Sequence, residues 1–189
     1  MAQMLGWGAR RMSSSSELKD VDMYVYVEPA GLLGRFLGRP LRLKVQQFSF
    51  LVNRREHALQ RVEVNADSLL PQCEVYMPSR FERVPLNFSE VERVMQRTRS
   101  YVLNVSRYPL ITYDVEANTS DAVKGTLNLH GARHTVECSK AVEGAELVVR
   151  CPVRLSQFHV PPFRMWLGLF TQADTIEVET RIPAKALKL

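Results

Sequence analysis

The chain has 189 residues, 46% hydrophobic and 24% charged, which suits one globular domain with a sizeable core. A net charge of +5 makes it mildly basic, but its arginines are scattered. Nucleic-acid binders gather such charge in runs or stripes, so a specific nucleic-acid partner is not expected.

Residues 1–20 read as a disordered N-terminal tail. They hold Arg10, Arg11 and the polar run Ser13 to Ser16, with no apolar stretch of the length a secretory leader or membrane span needs. Val21 to Glu28 then alternates apolar and polar residues, the period of a strand wet on one face. Leu41 to Val52 is longer. Leu41, Leu43 and Val45 share one parity while Phe48, Phe50 and Val52 share the other, so a β-bulge is expected around Gln46-Gln47. His57 to Ser68 carries Val62, Val64 and Ala66 on one face. After a loop containing proline, Ser89-Glu-Val-Glu92 reads as a capping box that opens a helix over 89–102. Val91, Val94, Met95, Thr98 and Val102 form its apolar side, with Arg93, Gln96, Arg97 and Arg99 facing water.

Strands are expected next at Leu110 to Ala117, Ala122 to His130, Arg133 to Lys140, Leu147 to Leu155 and Thr175 to Ile182. Phe158 to Phe170, with Pro161-Pro162, is too broken for a regular element. Eight strands, one inserted helix and hairpin spacing define an all-β fold, either a closed antiparallel barrel or a sandwich. The interior of an eight-stranded barrel is wide enough for packed side chains or for one small ligand. Gly125 among the inward aliphatics tips the reading toward space.

Cys73, Cys138 and Cys151 have no metal-ligand spacing. Cys138 and Cys151 lie in neighbouring expected strands, so a bridge is geometrically conceivable. The reading adopted is three reduced thiols in a cytoplasmic protein, where the sequons at Asn87, Asn104 and Asn118 carry no weight. Catalysis finds little support. His130 and His134 fall across a hairpin turn, and His57 and His159 have no evident partners. No nucleophile elbow is present, and Asp114 and Glu116 read as solvated charge. No catalytic residue, metal site or cofactor is expected.

Two segments carry a family resemblance. Val102-Leu-Asn-Val-Ser-Arg-Tyr-Pro-Leu-Ile-Thr-Tyr113 followed by Val123-Lys-Gly-Thr-Leu-Asn-Leu-His-Gly131 resembles the paired hallmark of the YceI-like family. Gly31 to Gly38, Val62 to Leu69 and Leu155 to Glu179 are similar to its flanking segments, so the likeness spans roughly residues 22–183. The chain departs from the family at Gly38-Arg39-Pro40 and at Phe158-His159, both near the pore mouth. The resemblance implies an eight-stranded antiparallel lipocalin-like barrel over 21–184, with 185–189 as a C-terminal tail. It also implies an elongated apolar pore of the kind that holds a polyisoprenoid.

Such a pore needs aliphatic and aromatic walls. The candidates are Phe48, Phe50, Val62, Val64, Ile111, Tyr113, Leu127, Leu129, Val136 and Val149, with Trp166, Leu167 and Phe170 as a lid. Arg35 and Arg39 are the cations placed to meet a pyrophosphate head at the mouth. A solvated loop is the plainer reading of that stretch, and a membrane-surface role for Leu32, Leu33, Phe36 and Leu37 a further one. The expected function is non-catalytic binding or carriage of a polyisoprenoid or other lipid in a cytoplasmic, bacterial protein. The alternative is a solidly packed barrel serving as a protein-interaction or stress-related structural module. No transmembrane segment is expected, and a homodimer stays open.

Overall fold

The computed structural model describes residues 9–13, 20–30, 39–53, 58–161, 164–165 and 170–185. In chain order the strands before the helix are β1 (Ala9–Ser13), β2 (Asp22–Val27), β3 (Pro29–Ala30), β4 (Leu41–Val45), β5 (Phe48–Asn53), β6 (Ala58–Asn65), β7 (Leu69–Val75) and β8 (Glu82–Pro85). Helix α1 (Phe88–Arg97) precedes β9 (Leu110–Asn118), β10 (Ala122–Leu129), β11 (Ala132–Glu143), β12 (Glu146–Arg154), β13 (Arg164–Met165), β14 (Phe170–Gln172) and β15 (Thr175–Pro183). Twelve strands form one antiparallel sheet in the order β1-β5-β6-β9-β10-β11-β12-β15-β2-β4-β7-β8, and β13, β14 and β3 form a small second sheet.

The twelve-stranded sheet is not closed by hydrogen bonds, since β1 and β8 are its edges. Its ends are joined through the chain. Strand β5 pairs with β6, and β6 with β9, at one end of the order. At the other, β4 pairs with β2 and β7. Only Gln46 and Gln47 separate β4 from β5. The ribbon made by 41–53 and 58–75 therefore bends at its middle and attaches its two halves to opposite flanks, rolling the sheet into a barrel.

Ser68, buried at the bend, holds it. The Gln47 amide donates to Ser68 Oγ at 3.1 Å, and that hydroxyl donates to the Asn65 carbonyl at 2.8 Å. The Gln46 amide meets the Ser68 carbonyl at 3.0 Å, and the Asn65 amide the Gln47 carbonyl at 3.0 Å. These bonds replace the ladder pairs lost at the bend. The parity switch expected from the apolar pattern is this feature, which keeps Leu41, Leu43 and Val45 inward on one half and Phe50 inward on the other.

Helix α1 begins one residue earlier than expected. Its N-cap is Asn87, whose side chain accepts from the Glu90 amide at 3.0 Å while Glu90 accepts from the Asn87 amide at 3.0 Å. The reciprocal pair satisfies two otherwise free donors. Residues 98–102 continue as one wider π-helical turn. The helix runs along β7 from the Pro85 end toward Asp67, which Arg99 contacts at 2.6 Å.

Three regions depart from the sequence reading. Residues 9–13 of the expected tail are strand β1, paired with β5 from Ala9↔Asn53 to Ser13↔Ser49. Strands β7 and β8 were not anticipated, because Pro71, Pro78 and Pro85 break their alternation. Part of the segment 158–170, expected to be irregular, forms β13 and the start of β14.

The hallmark residues do packing work at two points of the β9–β10–β11 meander. Gly131 turns the β10–β11 hairpin at φ +79°, and a Cβ there would come within 2.7 Å of the Tyr108 ring. Tyr108 also stacks on His130 at 4.5 Å. Gly125 sits where β9 and β10 shift register. It gives no open space, because a Cβ there would lie 2.2 Å from the Asp114 carbonyl oxygen and 2.9 Å from the Tyr113 ring. Gly125→Ala must displace backbone, so it should cost about 1–3 kcal/mol. That corresponds to a fall of several degrees in thermal midpoint for a chain of this length, measurable by calorimetry.

Candidate functional site

Inward side chains from both halves of the ribbon and from β2, β9, β10, β11, β12 and β15 surround a cavity of about 1250 Å³. The wall is mostly aliphatic. Its charged members are Glu28, Arg39, Glu74, Glu90, Arg93 and Arg97. They gather at one end of the barrel, as the register shows. Glu28 follows β2, Arg39 precedes β4, Leu41 pairs with Glu74, and the other three are on α1. The cavity is thus an apolar tube with a charged collar at the helix end.

Glu74 is buried in this collar and forms a salt bridge with the exposed Arg39. That partner holds the Arg39 guanidinium more firmly protonated. The cation expected at the mouth is present, but a carboxylate already engages it. Arg93 and Arg97, expected to face water, both border the cavity; Arg93 stays exposed and Arg97 is half-buried. Their helical spacing of four gave the only signal that they share a face with Val94.

Nine of the expected lining residues border the cavity: Phe50, Val62, Val64, Ile111, Tyr113, Leu127, Leu129, Val136 and Val149. Phe48 does not. It is buried in a packed cluster with Val25, Leu43 and Val45, its ring 5.7 Å from that of Phe50. Arg35, Trp166 and Leu167, like Leu32, Leu33, Phe36 and Leu37, lie outside the described residues, as does the side chain of Phe170. The sequence reading missed much of the wall. Met23, Val25, Ile176 and Val178 could have been found by extending the same alternation, whereas Leu69, Leu86 and Leu103 depend on the path of the ribbon and helix.

Tyr113 is the main polar side chain within the tube. Its hydroxyl reaches the carbonyl oxygens of Val136 at 2.9 Å and Val123 at 3.1 Å, so the phenol is satisfied by the wall. Burial pushes its pKa up to about 12. Beside it, Cys138 and Cys151 form a disulfide, correcting the expectation of three reduced thiols. They lie directly across β11 and β12, one step beyond the Ser139↔Arg150 pair, with Cα atoms 4.2 Å apart. Both border the cavity, and Cys73 is the free, buried thiol. Among the described residues no cluster of three His, Cys, Asp or Glu groups could hold a metal ion, and no helix is long and apolar enough to cross a membrane.

The fold and cavity define a class: an antiparallel lipocalin-like barrel with one helix against its open flank. Two solved structures share it. BcnA from Burkholderia cenocepacia superposes with a TM-score of 0.54 at 14% identity, over 87% of this chain and 96% of that one. A polyisoprenoid-binding domain from Saccharophagus degradans, implicated in plant cell wall breakdown, gives a TM-score of 0.51 at 9% identity, over 86% and 98%. The architecture implied by the YceI-like resemblance is the one observed. No family model matches the chain, and no curated relative matches it either.

The disulfide gives a direct chemical prediction. Alkylation after denaturation without reductant should label Cys73 alone, and reductant should expose two more thiols by mass. Losing a bridge that closes so short a loop should lower stability by about 2–4 kcal/mol, read from denaturant unfolding with and without reductant.

Proposed function

We propose that the protein binds or carries an elongated apolar molecule, a polyisoprenoid or another lipid chain, in the barrel cavity without chemically changing it. The single observation that carries this reading is a cavity of about 1250 Å³ with aliphatic walls. Aliphatic walls offer water few of the partners that hold it in a cavity. An apolar chain gains about 25 cal/mol for each Å² it buries there.

The cavity's apolar wall and charged collar support an amphiphile with its tail inside and its head at the α1 end. The printed description of the Saccharophagus degradans domain as polyisoprenoid-binding supports the same ligand class. The solid-barrel alternative needs the inward residues to touch across the interior, and they border open space instead. The disulfide favours an oxidising compartment over the cytoplasmic one expected from the sequence.

Leu129→Trp and Val64→Phe test the reading, since both side chains face the cavity. Each variant should keep a near-native thermal midpoint and lose most uptake of added polyisoprenol. Native mass spectrometry with organic extraction should show lipid in the parent and less in the variants. A drop in melting temperature with no ligand signal to lose would support packing instead. Stable variants that bind lipid as well as the parent would show that the pore lies elsewhere.

A further inference from the structure

Seven large apolar side chains are prominently exposed among the described residues, and four of them (Tyr76, Phe81, Val84 and Phe88) lie within residues 76–97. Scattered exposed apolar residues need no explanation, but concentration on one segment does. The same segment supplies Leu86, Glu90, Arg93, Val94 and Arg97 to the cavity wall at its charged end. Val84 pairs with Glu74 of that collar, and Phe88, 80% exposed, stands between Leu86 and Glu90 in sequence.

The charge on this segment is complementary to an anionic surface. It contains four arginines against three glutamates, and of the glutamates Glu82 is paired with Arg42 and Glu90 closes the capping box of α1. Arg80 is paired with carboxylates. Arg83 and Arg93 are exposed and have no ion-pair partner among the described residues. Arg83 lies over the Tyr76 ring at 5.5 Å, and Phe81 beside them is 74% exposed. The Phe81 carbonyl accepts from the Tyr76 amide at 2.9 Å, so the aromatic–arginine group is held by a short hairpin. Aromatic rings interleaved with unpaired cations suit the boundary between headgroups and acyl chains, where apolar burial and attraction to anionic lipid act together.

We propose that residues 76–97, led by Tyr76, Phe81, Arg83 and Phe88, form a docking surface for a bilayer containing anionic phospholipid. Docking there presents the charged end of the cavity to the membrane from which its lipid is taken or to which it is returned. The inference rests on the lipid-carrier reading, but the two can fail separately, because vesicle binding and polyisoprenol uptake are separate measurements.

The experiment is co-sedimentation of the full chain with phosphatidylcholine vesicles, with and without phosphatidylglycerol. The parent should sediment with the anionic vesicles, lose that binding as salt is raised, and bind pure phosphatidylcholine weakly. Reversing one interfacial charge by Arg83→Glu should lower partition roughly tenfold. Phe81→Ser/Phe88→Ser should lower it at least as far. Both variants should keep the parent's thermal midpoint and polyisoprenol uptake. If the double variant fails to fold, Arg83→Glu alone decides the matter. Sedimentation that ignores phosphatidylglycerol, or is unchanged in Arg83→Glu, overturns the proposal. So does a concentration-dependent dimer abolished by these changes, which would give the surface to a second copy of the chain.

Discussion

Two residues, Gln46 and Gln47, interrupt one long strand and let it serve both flanks of the sheet. A strand alternates its faces with period two, so an uninterrupted 41–53 would turn either Leu41, Leu43 and Val45 or Phe50 to the outside. The interruption shifts parity and direction together, with Ser68 and Asn65 supplying bonds in place of the lost ladder. The cavity follows from that bend. Both halves of the ribbon contribute aliphatic side chains to a single tube, and the flank where they part is covered by α1 and the π-helical turn after it, through Val94, Thr98 and Val102.

Charge is distributed by the same geometry. On β2 and β15 the residues alternating with the wall point outward, placing Tyr24, Tyr26, Glu177, Glu179 and Arg181 together. Glu179 is fully buried there, held by Arg150 at 2.9 Å and Arg181 at 2.8 Å, with Arg80 at 3.6 Å. Each guanidinium also meets a second carboxylate, so the burial of charge is compensated within a network. Through Arg80 this network fastens the 76–81 hairpin to the barrel's outside, which fixes where its exposed aromatics stand. The interior needs no such compensation, because its walls carry little that requires it.

The YceI-like hallmark has a physical meaning that differs from a binding motif. Tyr108, His130 and Gly131 pack on one another at a turn, while Tyr113 spans the small volume over Gly125. These residues secure the β9–β10–β11 meander, and the aliphatic positions between them line the tube. The resemblance therefore pointed to the architecture through residues that build it. The pore-mouth cation expected apart from the resemblance is less informative, since Arg39 is already bound to Glu74.

The strands, the single helix and the inward set Val62, Val64, Leu127, Leu129 and Val136 were legible in the sequence, because period-two alternation is a local property that one buried face imposes. So was the need for a break near Gln46-Gln47. Three matters depended on tertiary structure. Strand β7 carries Pro71 and Gln72 at a register shift opposite β4, so only its partner reveals it as a strand. The bonding of Cys138 to Cys151 depends on the register of β11 against β12, which spacing along the chain does not specify. Whether aliphatic residues fill an interior or surround a space depends on the distance across the barrel, set by strand pairing and the bend of the ribbon. An alternating pattern specifies which residues face inward, but contains no measure of how far apart the facing walls will stand.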